Sequence, residues 1–160
     1  MQDARYRIPR IWHLASCIAV TIFIMKGYLL KEEAFVIGED TFVESSASEN
    51  NYAVVFEDDT ETGYFYALEI DKNSGEQKIL DALHIYESTT TPARGKAGSI
   101  KIIWSTDWQR CALILNNYCH AIFDFENHGG YNRDGFPPPN EIWTKGEREL
   151  TDGMVIELFK

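Results

Sequence analysis

Arg110–Phe125 reads RCALILNNYCHAIFDF, two apolar runs around the pair Asn116-Asn117. Asparagine tolerates the positive φ that a two-residue hairpin loop demands, so the stretch reads as a β-hairpin with that pair as its loop. In that register Leu115 faces Tyr118, Ile114 faces Cys119, and Cys111 faces Ile122. Side chains alternate across a strand, which puts Cys111, Leu113, Leu115, Tyr118, His120 and Ile122 on one face. Ala112, Ile114, Cys119, Ala121 and Phe123 take the other. Both faces are apolar, so the hairpin belongs at the centre of a sheet covered on both sides. A single flat sheet cannot do that. The expected fold is mainly β: an antiparallel meander forming a curved sheet, a small sandwich or a half-open barrel, with at most one or two short helices.

The same register separates the two cysteines of the hairpin by roughly 10 Å along the ladder, beyond the span of about 7 Å that a disulfide tolerates. Free thiols at Cys111 and Cys119 fit a reducing cytoplasm.

Working outward, short aromatic and β-branched runs recur between turn residues. Phe35–Ile37 and Thr41–Val43 flank Gly38-Glu39-Asp40, and Tyr52–Phe56 and Gly63–Ile70 form a hairpin across the acidic EDDTETG. Gln77–Tyr86 fits both the helical and the strand period, and its neighbours favour a strand. Ser88–Gly98 is a polar loop, and Ser99–Ser105 is a strand turned through Thr106–Gln109 into the central hairpin. Glu126–Asn140, with paired glycines and three consecutive prolines, has no periodicity and reads as a functional loop or a strap over a sheet edge. A short helix is expected within Glu141–Leu150 and a closing strand over Val155–Phe159.

The chain has 160 residues, 44% hydrophobic and 25% charged, with 15 Lys and Arg against 25 Asp and Glu for a net charge of −10. That balance argues against a nucleic-acid binder, which must set cations against phosphates. Residues 1–25 form a hydrophobic N-terminal extension, and residues 26–160 are expected to form one β-rich domain. Three of the cations and one of the anions lie in the first 24 residues, which leaves 12 against 24, a net of −12. Arg5, Arg7 and Arg10 precede the uncharged run Leu14–Met25. Twelve residues of helix reach only about 18 Å, short of the roughly 30 Å hydrocarbon core. Leu14–Cys17 spells a lipoprotein box, but most of the apolar run follows its cysteine instead of preceding it. A start at Met25 and a cytoplasmic protein is the first expectation. An inner-membrane anchor through residues 11–30 is the second, secretion the third.

The strings IIWSTDWQRCALILNNYCHAIFDFENHGGYNRDGFPPP, YAVVFEDDTETGYFYALE and ILDALHIY resemble a bacterial family described as domain of unknown function 2251. The resemblance spans residues 26–160 and implies no activity or catalytic residue. It marks Trp104, Ser105, Asp107, His120, Asp124, Tyr131, Arg133 and Phe136–Pro138 as matching words. Trp108 stands where a small turn residue is expected after Asp107.

No motif of metal-ligating spacing or nucleophile elbow is present in the sequence. His84, His120 and Asp124 are weak candidates for an acid–base or metal cluster, with Asp81 a further neighbour. Cys111, amid Ala112 and Leu113, reads as buried and not as a nucleophile. Ser105 reads as a turn-initiating group bonding near Asp107. Asp58, Asp59 and Glu61 read as a solvated acidic turn. Tyr131, Arg133, Asp134 and Phe136 combine aromatic and cationic anchors on a restrained loop, as protein interfaces do. With Glu57, Asp58 and Asp59 they are the candidate partner-binding residues.

The reading that follows is a non-catalytic protein-binding module with a basic partner and no cofactor, metal or nucleic acid. An immunity-type inhibitor of a basic toxin is its biological form by analogy. The alternatives are a small metal-assisted hydrolase using His84, His120 and Asp124, and a membrane-anchored envelope protein of structural role.

Overall fold

A computed structural model describes Tyr6–Arg7 and residues 25–160. The apolar run up to Ile24 and the Leu14–Cys17 box lie outside the described residues. The strands are β1 (Tyr6–Arg7), β2 (Gly27–Val36), β3 (Thr41–Ser46), β4 (Tyr52–Asp58), β5 (Thr62–Ile70), β6 (Gln77–Glu87), β7 (Ala97–Ser105), β8 (Arg110–Leu115), β9 (Tyr118–Asp124) and β10 (Gly129–Asn132). One helix, α1 (Asp152–Leu158), follows them. Two antiparallel sheets form, in the orders β1-β2-β7-β8-β9-β10 and β3-β4-β5-β6. The expected β-rich fold is what forms, as a sandwich and not a closed barrel.

The main core lies between the sheets. From β4 and β5 it takes Val54, Phe56, Phe65 and Ala67, and from the larger sheet Ile100, Ile102, Trp104, Leu113 and Phe123. Phe56 and Phe65 are directly paired across their two strands. The chain changes sheets between β2 and β3 at Gly38, whose φ of +90° is a left-handed turn that a side chain would strain.

The other face of the larger sheet is also dry. Ile103, Ala112, Ile114, Cys119 and Ile122 pack there against Met25, Leu150, Val155 and Phe159. The central hairpin is therefore covered on both sides, as its two apolar faces require.

Several expectations are corrected. The register holds near the loop, where Leu115 faces Tyr118 and Ile114 faces Cys119, but it shifts between Leu113 and Ile114. His120 is the extra residue of a β-bulge, so Cys111 faces Phe123 and not Ile122. Beyond the bulge the faces exchange: Ala121 and Phe123 join Cys111 and Leu113 in the main core, and Ile122 joins Ala112 and Ile114 in the second.

Val155–Phe159 closes the fold as part of a helix, not a strand. The Thr151 side chain caps it by accepting the Met154 N–H, and burial of Val155 and Phe159 adds roughly 1.5–3 kcal/mol each. So short a helix has no stability of its own, so that packing decides its form. Glu141–Leu150 holds no helix. The loop from Glu126 contains β10, which pairs with β9 and is capped on its far side by Asn132, bonded to Arg148 and Leu150.

The N-terminal alternative changes as well. Gly27–Leu30 belong to β2, whose Gly27, Tyr28 and Leu29 pair with β7, so they are not the end of a helical anchor over residues 11–30. No helix among the described residues is long and apolar enough to cross a membrane.

Candidate functional site

The smaller sheet has one face on the core and one face outward. The alternation that points Val54, Phe56, Phe65, Leu83 and Tyr86 inward points Val55, Glu57, Tyr64, Tyr66, His84 and Glu87 outward. Cross-strand pairing sets Phe42 beside Glu57, Glu57 beside Tyr64, and Tyr64 beside His84. No outward position on these four strands is Lys or Arg.

An aromatic row crosses this face. Tyr64 and Tyr66 stack with centroids 5.8 Å apart, His84 meets Tyr64 edge-on at 5.5 Å, and Phe136 meets His84 edge-on at 5.7 Å. Ala53, Val55 and Leu68 form a small buried cluster beneath Tyr66 and Ile70. Phe42 (61%), Ile79 (63%) and Phe136 (51%) stand exposed to solvent.

Carboxylates flank the row. His84 Nδ1 lies 2.6 Å from Asp134 Oδ2 and its Nε2 lies 3.0 Å from Glu87 Oε1, so one ring joins two acids. Asp134 is presented by the β10 loop, which is fastened to β6: the Asn132 amide donates to the carbonyls of His84 (2.8 Å) and Phe136 (2.7 Å), and the His84 N–H donates to the Phe136 carbonyl (3.0 Å). Burial, with the charges of Glu87 and Asp134, raises the Tyr64 pKa above its usual value. Tyr66 is raised likewise by burial, then Glu57, Tyr64 and Asp59. Asp59 is held below the ordinary carboxylate range, chiefly by the backbone N–H groups of Thr62 and Glu61.

The sequence-named residues separate into groups. Glu57, Asp134 and Phe136 meet on this face, with Asp59 at its turn. Asp58 does not join them. It is fully buried and accepts from Gly38 N (2.8 Å), Thr60 N (2.9 Å), the Tyr86 hydroxyl (2.6 Å) and the Ser88 hydroxyl (2.8 Å). Asp58 is the anchor of two loops and not part of a solvated turn.

Arg133 and Tyr131 lie on the outer side of the other sheet. The Arg133 guanidinium donates to the Cys119 carbonyl (2.9 Å) and to Asp152 (2.8 Å), and sits 4.4 Å from the Tyr118 ring centroid. It locks α1 to β9, so its donors are occupied. Tyr131 packs into the second core.

The proposed catalytic trio does not assemble. His84 belongs to the outward face, whereas Asp124 is buried beside Arg110, with 3.4 Å between Oδ2 and Nε, and accepts from Asn127. His120 sits at the bulge against Tyr118, its pKa pushed down to about 4 by burial and then by Arg133. Among the described residues no group of three or more His, Cys, Asp or Glu is placed to hold a metal ion. Burial pushes the Cys111 thiol well above its usual pKa and that of Cys119 up to about 12.

Ser105 Oγ donates to Asp107 (2.6 Å) and accepts from Arg110 N (2.9 Å), as a turn-initiating serine does. Trp108 occupies its turn at φ +62° because its ring stacks on Tyr28 and leans on Trp104, packing that offsets the backbone cost.

Tyr64, Tyr66 and Glu87 were not singled out from sequence. The signal was present in GYFYALEI, where Tyr alternates with Phe and Ala. Hydroxylated rings on one side of a strand and plain apolar groups on the other mark a wet aromatic face.

A family described as an uncharacterised protein conserved in bacteria, domain of unknown function 2251, matches residues 35–159. A Haemophilus influenzae (strain Rd) protein named "uncharacterized protein" is 41% identical over 99 residues, which are 61% of this chain and 60% of that protein. The match thus spans about three fifths of that relative's length. No solved structure matches.

Proposed function

The chain belongs to the bacterial family of domain of unknown function 2251, and from that premise we propose that it is a non-catalytic protein-binding module whose outward face on the smaller sheet docks a basic partner. The observation that carries this reading is the aromatic row Tyr66–Tyr64–His84–Phe136, bordered by Glu57, Glu87 and Asp134, with no Lys or Arg at an outward position of its strands. Flat aromatic groups supply contact area at low entropic cost, and the carboxylates select a partner of opposite sign. A net charge of −10 adds a long-range field that speeds encounter with such a partner.

The separation of His84, His120 and Asp124, and the high pKa of both buried thiols, leave the hydrolase alternative without assembled machinery among the described residues. Inhibition of a basic toxin in the cytoplasm is the biological form of this reading, by analogy with other small acidic proteins.

The test is cross-linked capture in the source bacterium, with the native chain compared with the double variant Glu57→Lys, Glu87→Lys. A basic protein recovered by the native chain, and depleted at least fivefold by the variant, supports the reading. Recovery indifferent to the variant, or of acidic proteins only, overturns it. For the toxin form, growth arrest by the captured protein must be relieved on co-expression of this chain.

A further inference from the structure

The smaller sheet ends differently at its two edges. Along β4, the Asp59 N–H donates to the Thr62 carbonyl and the Ile70 N–H to the Asn51 carbonyl, so its odd-numbered residues bond towards β5. Its even-numbered residues bond towards β3, and the Ala47 N–H accordingly donates to the Tyr52 carbonyl. Thr41, Val43 and Ser45 therefore bond β4, whereas Phe42, Glu44 and Ser46 turn their N–H and C=O groups away from the sheet. On the opposite edge such groups are taken. The Asn132 amide donates to the His84 carbonyl, the His84 N–H donates to the Phe136 carbonyl, and Arg148 donates to the Ala82 carbonyl. Among the described residues, no strand pairs with the outer edge of β3 and no hydrogen bond reaches the outward backbone groups of Phe42, Glu44 or Ser46. An edge open at three successive outward residues is a template for one more strand.

The side chains fix what that strand carries. Val43 and Ser45 are buried, so Phe42 and Glu44 lie on the outward face described above. Between Lys31 and Lys72 the chain has no Lys or Arg. Glu39 and Asp40 lead into β3, Glu49 follows it, and Glu57 pairs with Phe42. Arg94 reaches this end beside Gly38, but its guanidinium donates to the carbonyls of Thr60 and Ser88. A second copy of the chain fits badly. The one antiparallel register of two β3 strands that pairs all three outward residues sets Glu44 against Glu44, and like charges directly opposite destabilise a ladder.

We infer that β3 takes up an extended basic segment as an added antiparallel strand, with a Lys or Arg opposite Glu44 and, two residues on, an apolar side chain opposite Phe42. The inference rests on the protein-binding reading and names how the partner is held.

The experiment uses the full chain at low salt and a labelled, end-capped heptapeptide, Thr-Thr-Val-Arg-Val-Leu-Thr, followed by fluorescence anisotropy. Methylating the backbone nitrogens of its Arg and Leu, which would face β3, should weaken binding at least tenfold. Methylating those of its two Val residues, which would face away, should change it less than twofold. Glu in place of the Arg should weaken binding at least tenfold, and Glu44→Lys should reverse that preference. Ser46→Pro removes an outward N–H and no β3–β4 bond, as edge strands tolerate. It should weaken binding several-fold where Ser46→Ala does not, and the half-exposed Glu44→Lys serves if the proline variant unfolds. No binding, equal losses from the two methylated peptides, or indifference to Glu44→Lys overturns the inference. Equal losses alongside capture of a basic partner sink the strand addition alone. A position-dependent loss with no basic protein captured sinks the protein-partner reading and leaves the specificity of the edge standing.

Discussion

Arg148 Nη2 lies 2.7 Å from Asp81 Oδ2, and the two side chains are only 2% and 6% exposed. The pair ties the segment before α1 to the inward side of β6. Asp81 also accepts from the Thr144 hydroxyl, and Arg148 donates to the carbonyls of Ala82 (3.2 Å) and Pro137 (3.0 Å). Breaking one partner leaves the other charge buried. Asp81→Ala is therefore expected to lose about 3–5 kcal/mol in urea unfolding, and a loss below 1 kcal/mol would show that the ion pair is solvated.

Asp58 is the second buried acid with a full set of donors. Asp58→Ala strands two backbone N–H groups and two hydroxyls, and should cost about 3 kcal/mol. Glu57→Ala, one residue away on the outward side, should stay within about 0.5 kcal/mol. Paired melting curves of the two variants check the contrast.

His120 gives a pH dependence of definite sign. Its folded pKa is lowered to about 4 from 6.5. The folded state therefore binds fewer protons than the unfolded one between those values. Stability should fall as pH drops from about 6.5 towards 4, by at most roughly 3 kcal/mol from this group. His120→Gln should flatten that part of the profile, and parallel profiles for the two proteins would refute the assignment.

Arg133 is placed as a clamp for α1 rather than a contact for a partner. Arg133→Ala should destabilise the fold by about 1–3 kcal/mol through the lost charged hydrogen bonds and ring contact. Capture of a basic partner by the smaller sheet should be unchanged in the folded variant, as the cross-linking comparison can show.

Both hairpin thiols should resist alkylation in the native protein and react together on unfolding. Burial raises both thiol pKa values, and thiolate is the reactive form. Rapid modification of Cys111 at neutral pH without denaturant would contradict the packing described.

What the sequence made readable depended on the range of the interaction. The strands of YAVVF, GYFYALEI and SIKIIW are written in local alternation, and the two-sided burial of the central hairpin follows from its composition. The bulge at His120 is not local. Ala121 and Ile122 are equally apolar, and only competition between two core layers decides which goes where. VIELF has a strand-like composition, yet Phe159 and Val155 are wanted on one side by the second core, and Thr151 supplies a cap. Asp134 and Phe136 were recognisable as exposed anchors, and Glu57 as an outward-facing one. Asp58 was misread because its donors, Gly38, Tyr86 and Ser88, come from 20 to 30 residues away.

The single extra residue at position 120 works as a phase change along β9. It lets one ribbon serve two oily layers that a regular repeat would have matched with the wrong partners. Deleting that codon would not trim a surface; it would slide every later side chain of β9 through to the opposite layer, aiming Phe123 away from Phe65 and the charge of Asp124 into the space between the sheets. Lineages that share this ribbon should therefore tolerate many replacements of the histidine and almost no change in the number of residues between Cys119 and Phe125.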